Sequence, residues 1–405
     1  MAKKPAPVRR PARRRDILRA LLARPKALRL KPAISLFLLG YMRKFRVRDV
    51  GGNLILHSHL PPLNSRAYGR FIEDHLLKRI EGPSHAQVAV TNACPQKCLF
   101  CYNRDRAGKV MDTGTILSVI RDLRRLGVFW LGLTGGEPLL NRDLVKIVEA
   151  AADGCAVKLF TTGMGVTADL ARELRRAGLF SVSVSLDHWN EEIHDAGRHF
   201  PGAFREALRA IDVFLATPGL DVGVSAVLSR AMIRGGEAER FLEFLEGLGV
   251  HEAWLSEVMP ASRPLWDENL LITEDDRLSL VGLQDRINRG NGMTVNYLGH
   301  FEGREHFGCN AGRQMVYIDA FGEVSPCVFM PMTFGNVREK PLGEIVPDMR
   351  RAFQSSDSCF LRWNYRILER YAAGGLPLRR PASERVAGEA RYGPPAAFFR
   401  RLDKS

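Results

Sequence analysis

The sequence predicts an α/β protein built on a parallel sheet, with a smaller module after it, and three observations carry that expectation. From His85 onward, short apolar and β-branched runs alternate with stretches of helical period, the pattern of parallel strands joined by crossover helices. The chain has 405 residues, enough for one large domain and a small second one. Hydrophobic residues make up 45% and charged residues 26%, an ordinary globular balance.

The first fifty residues stand apart by charge. Met1 to Val50 holds 16 Lys and Arg against 2 Asp, whereas the rest carries 43 of each sign, so the whole net charge of +14 is local. The body needs no polyanionic substrate, and nucleic acid is not expected as a partner. Met1 to Arg15, rich in Pro, Ala and Arg, reads as disordered. Asp16 to Met42 interleaves apolar and basic residues and ends in the apolar run Ala33 to Met42, too short to span a bilayer. No small-residue cleavage site follows it, which argues against a signal peptide. Two readings of this arm (residues 1–45) stay open: a basic amphipathic helix on an anionic membrane surface, each cation adding about 1 kcal/mol, or a helix packed on the protein's own body.

Residues 46–84 form a cap. They contain the strand-like Asn53 to Leu60 and a helical stretch, FIEDHLLKRI. His57 and His59 share one side of that strand; with no third ligand nearby they are expected at the surface or against substrate. Strands are then predicted at Ala86 to Thr91, Val128 to Thr134, Ala156 to Thr161, Ser181 to Ser185, Val222 to Leu228 and Glu252 to Glu257. Helices are predicted between them at Thr113 to Leu126, Asn141 to Asp153, Thr167 to Ala177, Ala203 to Ala216 and Gly236 to Leu248. Functional groups should gather at the C-terminal ends of such strands.

The first of those strands feeds TNACPQKCLFCYN, Thr91 to Asn103, with Cys94, Cys98 and Cys101 in a C-x-x-x-C-x-x-C spacing. Three soft anionic ligands at one point select iron–sulfur clusters, zinc or copper(I). Structural zinc sites usually take four protein ligands, often as two C-x-x-C pairs. Of the seven cysteines, six fall in two clusters, which suits metal binding in a reducing, cytoplasmic compartment. Cys155 reads as a buried core residue.

The loop resembles the signature of the radical S-adenosylmethionine (radical SAM) superfamily, including Phe100 before the third cysteine and Tyr102 after it. That resemblance implies a partial (β/α)6 barrel of TIM type over residues 85–300. It also implies a 4Fe-4S cluster on Cys94, Cys98 and Cys101, with S-adenosyl-L-methionine chelating the fourth iron, and reductive cleavage of SAM to a 5′-deoxyadenosyl radical. The segment Gly135-Gly136-Glu137-Pro138, at the end of the second strand, resembles the family's GGEP motif, which holds the methionine amino group. Glycines there let backbone approach a ligand, and a carboxylate can accept from an ammonium. Thr161 and Thr162 stand where relatives often carry Asn-Gly, a departure that leaves their partner unassigned. Ser183, Ser185 and Asp187 share one strand face; the resemblance places the serines near the ribose. It places Ser225 and Arg230 near the SAM carboxylate.

The second set, Cys309, Cys327 and Cys359, begins as C-x12-G-x4-C through Gly322, with strand-like QMVYIDA and the turn FGEVSPC between. A hairpin that brings two thiols together is a compact metal clip. Residues 301–362 resemble the opening of a SPASM domain or its shorter relative, twitch, and FGNVREKPLGEI resembles the stretch that follows there. The further C-x-x-C-x5-C-x3-C of a full SPASM domain is missing, which implies one auxiliary 4Fe-4S cluster on three cysteines. Its fourth iron is then open to substrate or filled by a non-cysteine ligand. Residues 363–405 are expected to be a helix, Phe360 to Tyr371, and a mobile tail.

The resemblance implies a radical SAM enzyme that abstracts hydrogen from a peptide or protein during maturation, fed by a flavodoxin or ferredoxin. The alternatives are a small-molecule, cofactor or lipid-biosynthetic enzyme of the same superfamily and, from another class, a non-catalytic iron–sulfur or zinc-binding scaffold. The cytoplasmic setting allows a peripheral place at the inner membrane face through the arm.

Overall fold

The computed structural model describes residues 10–403. Most of the stretch expected to be disordered, Met1 to Arg15, lies outside them. Among the described residues twelve strands form two sheets. The small antiparallel one joins β1 (Arg10–Pro11), β2 (Arg48–Val50) and β3 (Asn53–Ile55). The large one contains β4 (His85–Ala89), β5 (Trp130–Thr134), β6 (Ala156–Thr161), β7 (Leu179–Ser185), β8 (Asp221–Leu228), β9 (Glu252–Glu257) and β10 (Thr294–Tyr297) in sequential, all-parallel order. Beyond β4 it continues with β11 (Met315–Ile318), parallel to β4, and β12 (Val324–Ser325), antiparallel to β11.

The six predicted barrel strands are present, with Val and Leu recurring among small and polar residues and almost every position buried, as parallel sheets require. Two neighbours extend them. β10, only four residues with Thr and Asn among them, gives no apolar signal; it is clamped by Asn288, whose amide donates to Val295 O at 2.9 Å and accepts from Val295 N at 2.8 Å. β11, expected in a separate hairpin module, pairs residue for residue with β4, so the second module is joined to the barrel by a shared sheet.

The cap plugs the N-terminal mouth of the barrel. Ser58 donates its N–H and hydroxyl to the two carboxylate oxygens of Glu252 at 2.8 and 2.7 Å. Arg48 reaches Asp221 at 3.4 Å and Glu252 at 3.2 Å, all three buried. Lys158 is fully buried, with its ammonium 3.8 Å over the Trp254 ring. His57 and His59 are 0% and 1% exposed, not at the surface, since β3 ends at Ile55 and the residues that follow are buried. His59 is packed among His85, Trp130, Trp254 and Phe301.

The helix Pro32–Met42 lays Ile34, Phe37 and Tyr41 against this plug and leaves Leu36 and Leu39 in solvent. The stretch after Tyr371, expected as a mobile tail, forms the helices Arg380–Glu389 and Ala397–Asp403. Phe398 there is buried between Phe37 and Phe307, ring centres 5.5 and 4.9 Å away, and so ties this end of the chain to the N-terminal arm.

Candidate functional site

The loop after β4 is held by three different elements. Lys97 and Leu99 donate their N–H groups to Arg198 O and Gly197 O, both at 3.1 Å, at the end of the helix Glu191–Arg198. The Tyr102 hydroxyl meets the Thr134 hydroxyl at 2.5 Å at the end of β5. Asn103 donates to Gly135 O at 2.7 Å and accepts from the Tyr317 hydroxyl of β11 at 2.7 Å. Arg106, buried just beyond, pairs with Asp319 at 3.0 Å and donates to Ser325 Oγ and Met330 O, with its guanidinium over the Tyr317 ring.

Cys94, Cys98 and Cys101 line one cavity of about 700 Å³ at the C-terminal mouth of the barrel. Phe100, Tyr102, Gly135, Gly136, Thr161, Ser185 and Ser225 line it too, while Glu137, Pro138 and Ser183 lie outside its wall. Gly135, at φ +141°, and Gly136 leave no room for side chains: a Cβ on either would stand 2.3 Å from the carbonyl oxygen of Thr91 or Ala93. Their backbone is thereby pressed against the cysteine loop, with a bare peptide face toward the cavity.

Glu137 explains the Thr-Thr pair. Its buried carboxylate accepts from Leu139 N at 2.9 Å, Thr161 Oγ1 at 2.6 Å, Thr162 N at 2.6 Å and Thr162 Oγ1 at 2.5 Å. Burial pushes its pKa up, and the threonine donors pull against that. With its lone pairs so occupied, Glu137 braces the Gly-Gly turn between β5 and β6.

Arg198 is a site residue that the sequence did not single out. Buried on the same cavity wall, it pairs with Asp187 through Nη2 at 2.6 Å and Nε at 2.7 Å. Its Nη1 lies 3.7 Å from the Cys98 sulfur, and its guanidinium lies over the Phe100 ring at 5.2 Å. Arg230, by contrast, pairs with Asp276 at 3.4 Å and does not line the cavity. The cavity floor is His59, Gln87, Phe160 and Trp254, at the plug.

The second set of cysteines lines an adjoining cavity of about 330 Å³. Cys327 and Glu302 belong to the walls of both cavities. The isolated bridge between Cys309 and Ser356 brings the Cys359 segment beside Cys309, and the Cys359 thiol is within hydrogen-bonding reach of Cys309.

These residues fit iron–sulfur groups. Burial raises the Cys94 pKa to about 11 and pushes up Cys98 and Cys101, so these thiols hold their protons until a metal displaces them. Cys327 is pushed up by burial, and Cys359 first by its hydrogen bond with Cys309. Among the described residues no three His, Cys, Asp or Glu side chains converge closely enough to hold a single ion. Thiols ranged round a hollow are what a polynuclear cluster requires. When bound, such a cluster supplies the electron that cleaves SAM. The chain's own contribution is to seat the thiolates, hold a cation against one of them, present bare backbone to the ligand and keep water from an aromatic-floored chamber.

Comparison with known proteins agrees with this geometry. The family description "Radical SAM superfamily" matches residues 88–246, and "Iron-sulfur cluster-binding domain" (SPASM) matches residues 309–365. The AdoMet-dependent heme synthase of Methanosarcina barkeri is 26% identical over 282 residues, covering 63% of this chain and 80% of the relative. The PqqA peptide cyclase of Methylocella silvestris is 32% identical over 157 residues, 38% of this chain and 42% of the relative. The crystal structure of Streptococcus suis SuiB bound to the precursor peptide SuiA superposes with a TM-score of 0.57 at 14% identity, covering 73% of this chain and 76% of that one. The first family match begins inside β4 and takes in the cysteine loop and the Gly-Gly turn, and the second spans Cys309, Cys327 and Cys359. Residues 88–246 are therefore a radical SAM domain and residues 309–365 an iron–sulfur SPASM-type domain, of an enzyme whose cofactors are 4Fe-4S clusters and S-adenosylmethionine.

Proposed function

We propose that this enzyme modifies a peptide or protein, abstracting hydrogen from a residue side chain held between the two cysteine sets. The observation that carries this is the single chamber of about 700 Å³ whose wall includes both the Cys94, Cys98 and Cys101 loop and Cys327. That lies well within the size range of ligand cavities, with room for SAM together with one side chain. Kinship with the PqqA peptide cyclase supports the peptide as substrate class. Cys94, Cys98 and Cys101 hold the first cluster. Phe100, Tyr102, Gly135, Gly136, Thr161, Ser185 and Ser225 contact SAM, while Glu137, Pro138 and Ser183 support it from behind. Cys309, Cys327 and Cys359 hold an auxiliary cluster. The electron comes from a flavodoxin or ferredoxin.

A small-molecule substrate is the second reading, favoured by the heme synthase match, which spans 80% of that relative. No helix among the described residues is long and apolar enough to cross a membrane. The exposed Leu28, Leu36 and Leu39 beside Arg29 and Lys31 support peripheral contact of the arm with anionic lipid.

The test is anaerobic reconstitution, then dithionite, SAM and candidate substrates: short peptides encoded beside the gene, and tetrapyrroles. A peptide lighter by two hydrogens, formed with 5′-deoxyadenosine and lost in Cys94→Ala, is the expected result. Turnover of a tetrapyrrole with inert peptides would move the assignment to the second reading. Zinc in place of iron, with no deoxyadenosine, would return the chain to a scaffold. Failure of the intact chain to float with anionic liposomes would end the membrane proposal.

A further inference from the structure

Three cysteines leave one iron of a four-iron cluster without a protein ligand. We infer that Glu302 is that fourth ligand, a carboxylate closing the auxiliary cluster on the side facing the reaction chamber. This rests on the reading that Cys309, Cys327 and Cys359 hold such a cluster.

Four carboxylates line the cavity with the three thiols: Glu257, Glu274, Asp357 and Glu302. Three of them are already engaged. Glu257 pairs with Arg362 at 3.3 Å, Glu274 takes the Arg277 fork at 2.6 and 2.9 Å, and Asp357 accepts from the Ser358 hydroxyl at 2.9 Å. The Glu302 carboxylate makes no hydrogen bond or ion pair among the described residues; it is half-buried on the wall of both cavities. It lies within electrostatic reach of Cys327 and Cys359.

Its placement is fixed from behind. The short helix Leu298–Phe301, directly after β10, ends at Glu302, whose N–H donates to Leu298 O at 2.8 Å. Glu302 and Cys327 both belong to the wall shared by the two cavities. A cluster held by the three thiols would thus meet this oxygen ligand on its chamber side. A carboxylate also suits ferric iron as an anionic ligand, and two of the cavity's arginines, Arg277 and Arg362, are occupied by other acids.

The test uses the full-length chain carrying Cys94→Ala, Cys98→Ala and Cys101→Ala, so that only the auxiliary cluster is counted. After anaerobic reconstitution, iron and sulfide content, EPR spectra and the midpoint potential are compared for this parent and for Glu302→Ala, Glu302→Cys and Glu274→Gln added to it. In Glu302→Ala the auxiliary iron should fall from about four to about three per chain, with a three-iron EPR signal on oxidation. Glu302→Cys should keep all four irons but shift the midpoint and the EPR line shape, and Glu274→Gln should match the parent. Iron content, spectra and potential unchanged in both Glu302 variants would overturn the ligand assignment while leaving the cluster standing. A parent that binds no iron would overturn the cluster, and the ligand with it.

Discussion

Thr162 turns both its backbone N–H and its hydroxyl onto one oxygen of Glu137, at 2.6 and 2.5 Å. The end of β6 is thereby bolted to the Gly-Gly turn after β5, and the backbone of that turn, which lines the chamber, is held by Glu137, which does not. Thr162→Val keeps the shape and removes one donor to a buried carboxylate. It should cost about 1.5–3 kcal/mol and weaken SAM binding several-fold. Thermal unfolding and anaerobic titration of SAM check the two effects separately; Glu137→Ala should exceed both.

Arg198 stands between Asp187 and the Cys98 sulfur. Arg198→Lys keeps the charge but loses the fork that pairs with Asp187. The cation then moves off the sulfur, and the first cluster should become harder to reduce. Redox titration should give a more negative midpoint for that cluster, and iron should be lost faster to a chelator; an unchanged midpoint would show that the arginine serves only the loop backbone.

Arg106 joins the two modules through Asp319, with both side chains buried. Arg106→Ala leaves a carboxylate unpaired in the interior and should destabilise the protein by about 3–5 kcal/mol. Chemical unfolding measures the loss. The double variant Arg106→Met with Asp319→Leu should recover much of it, since the cost lies in the orphaned charge.

The plug responds to acid. Burial holds His57 and His59 well below the usual histidine range, and lowers His85 and His306 to about 4 and His300 to about 2. Each folded value lies below the unfolded one near 6.5, so the unfolded chain takes up protons that the folded one refuses. Stability should fall as pH drops from about 6.5 toward 4. His59→Phe tests this: its ring nitrogens have no hydrogen-bond partner and aromatic rings surround it. The substitution should raise the melting temperature at pH 5 more than at pH 8.

The sequence showed what depends on neighbouring residues. The six barrel strands, the C-x-x-x-C-x-x-C loop and the Gly-Gly turn all announce themselves within a few positions, and β6 and β9 lie where the apolar runs placed them. What it concealed depends on partners far away in the chain. Arg198 looks like any helix-terminal cation until Cys98 and Asp187 are beside it, and Glu302 is one acid among 45 until three of its rivals are seen to be engaged. Of the histidine pair, expected at the surface or against substrate, neither is at the surface, and His59 lies on the chamber floor, a place set by aromatic partners far away in the chain. The segment after Tyr371 has a loop-like composition, yet Phe398 finds two aromatic rings that no local pattern discloses.

The pairing of β4 with β11 also orders events at the ribosome. Ser84, immediately before β4, donates to Gln314 O across 230 residues. During synthesis β4 therefore emerges early, gains β5 soon afterwards, and presents a bare edge until Met315–Ile318 follows. An unpaired edge invites association with other nascent chains. The Asn103 and Arg106 anchors, whose partners lie at Tyr317 and Asp319, are equally late. If Cys94, Cys98 and Cys101 receive a cluster as proposed, its delivery into a finished loop is a late step, and growth at low temperature or with added chaperone should raise the yield of iron-loaded protein more than added iron does.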